Sequence, residues 1–404
     1  MKKVEYTATT IPGLESEARK ELLNLKAEIL NEGSGFVRFT VHPFEIPNIL
    51  TQSRIILRVL EPIIEGDYTS LKELIHRCSL IDWSRFLQPK NTFKIDLVGR
   101  TSLAANQYMV LAVKDVLVDS LKRKYGIRPS VDTRNPDQLF ILYVNDTHCT
   151  IYRDAAGVPL NQRGYRIKSL EAPINEVIAA GLLSYLGWNG RGLFIDPMCG
   201  SGTLILEALT KAMNLYPQTK RKKGFALDRW PDRKNYGLKP GITTGRFNPT
   251  PSGQIQTPLP SPQLWQIIGA DKNPDTNPIV TYNLTQLLDP YNLKQPEHFS
   301  LEIEHFEYLH ANPLIKKART WAEENDLPTL LCFNPPYDQR MAVDDIRNFY
   351  KFIGDTLKQQ WKNSLVGIIS GSVEGIKHIG LRPQKKIHIK NGPIDTRFHI
   401  FSIH

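Results

Sequence analysis

Asn334-Pro-Pro-Tyr337 stands at the end of the apolar run LLCF, 330–333. The amide oxygen of Asn334 and the carbonyl of Pro335 are both acceptors, and the consecutive prolines, Pro335 and Pro336, fix the direction of that carbonyl. Two such acceptors suit the exocyclic amine of a purine, whose lone pair is delocalised into the ring. Taking both amine hydrogens pushes the nitrogen toward tetrahedral geometry and frees the lone pair for attack. No strong base is required, because the amine proton becomes acidic once a methyl group has arrived. Tyr337 adds a flat face on which a flipped base can stack.

Two further segments could serve the same site. FIDPMCGSGTLILEAL at 194–209 reads as an apolar strand ending in Asp196, a turn with Gly200 and Gly202, and a helix that begins at once. Glycine lets backbone approach a ligand closely, and a helix start offers free N–H groups. A dinucleotide fingerprint would ask for a third glycine where Ile205 stands, and no phosphate-loop Gly-Lys-Ser/Thr occurs. WQIIGAD at 265–271 then puts Asp271 at the end of a second strand, placed to accept both ribose hydroxyls of an adenosine. Alone, such an aspartate is more often a helix cap, and Asn273-Pro274 is suited to opening a helix. In an open α/β sheet, however, ligands gather beyond the carboxyl ends of the strands, near the switch point.

The elements that must position these residues follow from periodicity. After about residue 172, helices alternate with fully apolar strands, as a parallel sheet covered on both faces requires. A helix is expected at 174–186, strand GLFID at 192–196, a helix from 203 to about 215, and strands at 265–270, about 299–303, 329–333, 365–370, 385–389 and 397–403. Upstream, 4–10 reads as a strand, 12–30 as a helix with Leu14, Ala18, Leu22, Leu25 and Ile29 on one face, 36–41 as a strand, 43–53 as a helix and 55–64 as a strand. That order is ferredoxin-like. A helix at 69–79, a strand at 93–99, a long helix through 104–125 and a hairpin of 139–145 with 148–154, turned by Asn145-Asp146, complete the first half. The segment 216–263 breaks the rhythm, with the basic run KRKK at 220–223 and a Pro/Gly/Thr-rich stretch at 237–262 that reads as an exposed insertion.

The bulk numbers are compatible with a nucleic-acid enzyme. At 404 residues, 41% of them apolar and 23% charged, the chain has room for two or three cores. The 51 Lys and Arg against 41 Asp and Glu leave a formal charge of +10, which suits a polyanionic partner without requiring one. Cys78, Cys149, Cys199 and Cys332 are far apart, which argues against a zinc ribbon or a disulfide framework and fits a reducing cytoplasm. The histidines show no metal spacing, so no metal is expected. The start MKKVEYTATTIPGLE has no apolar run of a signal peptide, and no stretch approaches a membrane span.

DPMCGSGT at 196–203, Asp271 and NPPY at 334–337 resemble the cofactor loop, ribose acid and catalytic motif of class I amino-methyltransferases. NQRGYRIKSLEAPINEVIAAGLL at 161–183 and GFALDRWPD at 224–232 narrow the resemblance to the THUMP-domain RNA guanine-N2 methyltransferases, notably the bacterial enzyme for 23S ribosomal RNA. It covers nearly the whole chain. The resemblance implies an α/β protein: a ferredoxin-like segment over 1–66, a THUMP RNA-binding domain over 67–155, a linker over 156–172, and a doubly wound, Rossmann-like methyltransferase domain over 173–404 with an insertion at 216–263. It implies S-adenosyl-L-methionine as cofactor, held by Asp196, Pro197, Cys199, Gly200, Ser201, Gly202, Thr203, Asp271, Lys272 and Asn334. Family members usually carry an acidic residue after the third strand. Here IEHF at 303–306 sets His305 in that place, so Glu304 and His305 are both candidates for the adenine contact. Asn334, Pro335, Pro336 and Tyr337 would be catalytic. With the chain ending at His404, the second methyltransferase module fused to this enzyme in some bacteria is not expected.

Several residues have a plainer reading. Cys199 lacks the position after the catalytic proline that carbon-5 pyrimidine chemistry needs, and reads as loop packing; Cys332 reads as a buried strand residue. Arg163 and Arg166 would either contact RNA or pin the linker. Lys220, Arg221, Lys222 and Lys223 form either a solvated face or a phosphate contact. The rival functions are a transfer-RNA guanine-N2 methyltransferase, an adenine-N6 nucleic-acid methyltransferase, which the THUMP-like half disfavours, and a non-catalytic RNA-binding assembly factor, which the intact loop and NPPY oppose.

Overall fold

The computed structural model describes residues 2–170, 173–221, 223–238, 264–336, 343–392 and 394–404, the side chains of Val343 and Asp344 excepted. The chain divides into two compact units: Met1–Thr10, Arg19–Leu160 and Lys222–Pro249 form one, and Ile11–Ala18, Asn161–Arg221 and Thr250–His404 the other.

The first unit is built on one seven-stranded sheet in the order β2-β3-β1-β4-β7-β6-β5. Its elements are β1 (Val4–Thr9), α1 (Glu15–Asn24), β2 (Glu28–Gly33), β3 (Phe36–Val41), α2 (Ile46–Gln52), β4 (Arg58–Asp67), α3 (Leu71–Ser79), β5 (Phe93–Gly99), α4 (Asn106–Tyr125), β6 (Gln138–Val144) and β7 (His148–Asp154). The helix expected through residue 30 ends at Asn24. Lys26 takes the left-handed conformation (φ 66°), and 28–33 pairs instead with β3 across a Gly33-Ser-Gly35 turn. This extra strand completes the β-α-β-β-α-β order of a ferredoxin-like fold, with β4, β1, β3 and β2 all antiparallel neighbours. β4 pairs with β1 on one side and β7 on the other, so the sheet runs on without a break. The face carrying Phe93, Phe140, Leu142 and Ile151 packs with Leu74 of α3 and Met109, Val113 and Leu117 of α4.

Reading 216–263 as one insertion in the C-terminal half needs correction. Phe225, Ala226, Leu227, Trp230 and Tyr236 are buried, and the described residues 223–238 belong to the first unit. They close over Arg153, whose guanidinium donates to Glu61 at 2.7 Å and to both oxygens of Asp232 at 2.7 and 2.8 Å. Its Cζ lies 3.6 Å from the centroid of the Trp230 ring. The Pro-rich stretch from 239 onward falls outside the described residues.

The second unit carries α5 (Glu176–Tyr185), β8 (Gly192–Asp196), α6 (Thr203–Ala212), β9 (Trp265–Asp271), α7 (Thr276–Leu288), β10 (Phe299–Ile303), α8 (Pro313–Glu324), β11 (Thr329–Phe333), α9 (Val343–Gln360), β12 (Ser364–Ser370), α10 (Val373–Lys377), β13 (Lys385–Asn391) and β14 (Ile394–Ile403). The sheet order is β10-β9-β8-β11-β12-β14-β13. Strands β8 to β12 are parallel, and β14 enters antiparallel to both neighbours. The switch point lies between β8 and β11, which are adjacent although three crossovers separate them in sequence. Leu193, Ile195, Ile268, Leu331, Phe333 and Val366 pack with α8 and α9. Alternate strand residues face the other way, where Phe194 meets Trp188. A Cβ on Gly269 would lie 2.5 Å from Ile205, so the close helix–strand approach that a third loop glycine would allow is supplied by β9 instead. Residues 11–18, which include the first turn of α1, belong to this unit: Lys390 N–H, on edge strand β13, donates to the Pro12 carbonyl at 3.2 Å.

Candidate active site

The strand ends of the second unit are stitched into one surface by backbone groups. β8 ends in Asp196, whose carboxylate accepts from Met198 N–H at 3.1 Å. The loop then rises through Gly200 (φ 47°) and Gly202 (φ 81°), the residue that caps α6. A Cβ on Gly202 would meet Val280 of α7 at 2.8 Å, whereas one on Gly200 would meet nothing within 4 Å. Glycine is therefore required at 202 for packing, and at 200 the loop faces open space in a conformation most residues avoid. Cys199 N–H donates to Ala270 O at 2.9 Å, tying the loop to β9.

Asp271 joins three segments. Its Oδ2 accepts from Gly200 N–H and its Oδ1 from Asn273 N–H, each at 3.0 Å, while its own carbonyl accepts from Glu304 N–H at 3.1 Å. A carboxylate has about four lone-pair sites, so two acceptor positions are left for hydroxyls. The helix-cap alternative is answered by α7 starting at Thr276, five residues on. Lys272 is exposed, as is His305; Glu304 is half-buried, and its Oε1 accepts from His305 N–H at 3.0 Å.

On the far side of the switch point, β11 delivers Asn334 and Pro335 immediately after Phe333. Among the described residues the Asn334 Oδ1 is buried and accepts no hydrogen bond. A buried amide oxygen left unpaired is costly, by about 1–3 kcal/mol, so this acceptor, with no partner among the described residues, is suited to a donor from a ligand. Pro335 is buried, Pro336 exposed, and Tyr337 lies outside the described residues. Asp196 sits between these groups, 2% exposed. Burial holds its carboxyl well above the ordinary carboxylate range, and the charge of Asp271 pushes the same way. Burial likewise raises the Cys199 thiol, which leaves it without nucleophilic character.

The basic residues expected to meet RNA are placed differently. Arg163 is fully buried, 3.4 Å from Glu207, whose Oε1 also accepts from Tyr165 at 2.9 Å. Arg166 reaches the Ile174 carbonyl at 2.8 Å, Thr203 Oγ1 at 3.3 Å and Glu176 at 3.0 Å. Both therefore pin the linker to α5 and α6; Arg163 is closed to phosphate, and Arg166 is half-buried with its guanidinium committed to these partners. A Cβ on Gly164 (φ 91°) would lie 2.0 Å from the Lys220 carbonyl, which explains the glycine inside RGYR. Arg221 is also buried, so it too is corrected to a structural residue. Lys220 pairs with Asp289 at 2.7 Å, and the Lys223 ammonium donates to the Asn135 and Pro136 carbonyls at 2.9 and 2.8 Å. Lys222 lies outside the described residues. Glu176 and Glu207 had one readable signal, acids on otherwise apolar helices downstream of two arginines. Asn283 had none beyond being an asparagine inside a helix.

Among the described residues no group of His, Cys, Asp and Glu could hold a metal ion, and no helix is long and apolar enough to cross a membrane. Residues 68–154 match the THUMP domain and 163–276 an RMKL-like methyltransferase domain. A Synechocystis protein provisionally named as an RNA methyltransferase is 30% identical over 389 residues, covering 96% of this chain and 94% of that one. The ribosomal RNA large subunit methyltransferase K/L of Cellvibrio japonicus is 28% identical over 99% of this chain but only 51% of its own. The chain thus spans about half the length of the K/L proteins it matches. A solved structure of a provisionally assigned methyltransferase complexed with SAH superposes with a TM-score of 0.79 at 22% identity, over 100% of this chain and 99% of that one. With a THUMP domain, an RMKL-like domain and a 30%-identical relative along nearly its whole length, the chain belongs to the THUMP-containing RNA methyltransferases, enzymes that use S-adenosylmethionine.

Proposed function

We propose that this protein transfers a methyl group from S-adenosylmethionine to the exocyclic N2 amine of a guanine in RNA, with the large ribosomal RNA as substrate. The observation that carries the reading is the buried Asn334 Oδ1 at the switch point, across from the glycine loop and without a hydrogen-bond partner among the described residues. An acceptor in that position matches an amine hydrogen, and the Pro335 carbonyl takes the second. S-adenosylmethionine supplies a methyl group on a sulfonium, activated for displacement. The chain's own residues then position and desolvate. Asp271 accepts from the ribose hydroxyls, the Asp196–Thr203 loop holds the amino-acid portion of the cofactor, and Glu304 and His305 flank the adenine. Tyr337, next in sequence after Pro336, stacks on the flipped guanine. Rate enhancement comes largely from holding donor and amine in line. The relative names K/L and the THUMP match support RNA over DNA and ribosomal over transfer RNA.

The ferredoxin-like and THUMP segments, 1–66 and 67–155, would capture RNA by shape and phosphate contacts. Four buried, unbridged thiols support a reducing cytoplasmic setting. The test is nucleoside mass spectrometry of ribosomal and transfer RNA from a deletion strain, complemented with wild type or with Asn334→Ala. Loss of N2-methylguanosine from large-subunit RNA, restored by wild type only, is expected. Loss from transfer RNA alone, or of N6-methyladenosine, would replace the substrate named here.

A further inference from the structure

Asn283 is fully buried in the middle of α7, where asparagine is a weak helix former. Both ends of its amide are used. Oδ1 accepts from the N–H groups of Ile167 and Lys168, each at 3.1 Å, and Nδ2 donates to the carbonyls of Lys168 at 2.8 Å and Ser201 at 3.4 Å. One side chain thus binds a strap, residues 167–170, and the crest of the glycine loop. A second tie lies alongside, Leu170 N–H donating to Ser201 Oγ at 2.7 Å. The strap residues Ile167, Lys168 and Ser169 are themselves exposed, and the Lys168 ammonium lies 4.5 Å from the centroid of the Tyr282 ring on α7. Val280, one turn earlier on α7, backs Gly202 of the same loop.

We propose that Asn283 is a positioning residue that makes strap 167–170 and the loop Cys199–Thr203 a single unit, so that cofactor binding orders the strap and strap contacts hold the loop in its binding shape. This rests on the cofactor site proposed above. The physical basis is reciprocity: if the loop shape that binds cofactor is also the one that presents Ser201 to the strap, each event favours the other by the same factor. An asparagine whose four hydrogen-bonding positions span both pieces is the coupler. Alanine there removes all four bonds. Aspartate keeps the acceptors but sets a carboxylate against two carbonyls.

The experiment uses the full chain and S-adenosylmethionine itself. Calorimetric affinity and deuterium uptake at 167–170, with and without cofactor, are measured for wild type, Asn283→Ala, Asn283→Asp, Lys168→Pro, Lys168→Ala and Asp271→Ala. Lys168→Pro deletes one strap N–H on an exposed residue and carries the test if the buried variants do not fold; Lys168→Ala keeps that N–H and loses only the ammonium's contact with the Tyr282 ring. Affinity is expected to fall about 10- to 50-fold in both Asn283 variants and about 5-fold in Lys168→Pro, and not in Lys168→Ala. Cofactor should slow uptake at the strap in wild type and fail to do so in Asn283→Ala. Strap uptake indifferent to cofactor in wild type would assign Asn283 to folding alone and overturn the inference. So would wild-type affinity in Lys168→Pro while Asp271→Ala binds poorly, an outcome that leaves the cofactor site itself standing. Absence of binding by wild type removes both.

Discussion

Both units are built on sheets of seven strands, yet they place their polar residues in opposite ways. In the first, neighbours are antiparallel except for β5 with β6, so carboxyl and amino ends alternate along each edge. No edge collects the loop-borne groups of successive strands. One of its heavily bonded side chains, Arg153, lies within the fold, 3% exposed and enclosed by Glu61, Asp232, Tyr236 and Trp230. In the second, five parallel strands send their carboxyl ends to one edge, and Asp196, Asp271 and Asn334 all come out there. Parallel pairing, more than the identity of any one residue, lets groups more than a hundred positions apart share a site. On the function proposed above, the buried polar cluster around Arg153 acts on stability, and the groups at the strand ends of the second unit act on chemistry.

That contrast can be broken by substitution. Arg153→Met should have the largest effect, about 3–5 kcal/mol of unfolding free energy, because Glu61 and Asp232 lose their buried counter-charge. Urea unfolding would read it, and cofactor affinity should be retained. A drop in affinity with little loss of stability would mean that the first unit takes part in the cofactor site. Asn334→Ala is expected to reverse the pattern, lowering single-turnover methyl transfer about 10²–10³-fold by analogy with removal of one transition-state hydrogen-bond partner, with the thermal midpoint nearly unchanged. Equal losses of midpoint and rate would assign Asn334 to folding.

Asp271→Ala should weaken S-adenosylmethionine binding by about 1.5–3 kcal/mol, roughly ten- to a hundredfold, and leave RNA affinity alone. Unchanged cofactor affinity by calorimetry would remove Asp271 from the ribose contact. The smallest effect is the pH dependence set by Asp196. Its carboxyl is raised in the folded state, so between the unfolded and folded values the native protein binds more protons than the unfolded chain. Stability is then greatest below the unfolded value, near the ordinary 3.8, and is lost as pH rises toward the folded one, by at most about 1.4 kcal/mol per pH unit. Asp196→Asn keeps the acceptor for Met198 N–H and should flatten that slope, gaining stability at neutral pH. A variant less stable than wild type at neutral pH would show that the charged form is the one the site holds.

The second sheet was the more legible. Its buried strands are short apolar runs bounded by turn residues, and Asp196, Asp271 and Asn334 stand directly at their ends, so strand and site were read together. The first unit hid its edge strand, because Leu25 and Ile29 continue a helical spacing and nothing in Lys26 announces a left-handed residue. The two readings of the basic residues stayed open for a general reason: arginine and lysine default to the surface, and a single sequence does not display the acid that buries one. Arg163 needed Glu207, an acid 44 positions away. Asn283 was invisible because its partners are mostly backbone groups, which every sequence has everywhere.

The interleaving of the two units has a consequence for how the protein is made. Residues 11–18 leave the ribosome long before β13 does, yet Pro12 receives its hydrogen bond from Lys390 on that strand. At about 5–20 residues per second, that segment waits roughly 20–75 s for its partner strand. The first unit can pair its strands through Asp154 and still lacks the cover over Arg153 until Asp232 and Tyr236 have been synthesised. Neither unit is a contiguous stretch of chain. A cut at the linker, which a reading of domains in simple succession would recommend, leaves each half without a segment of its own core.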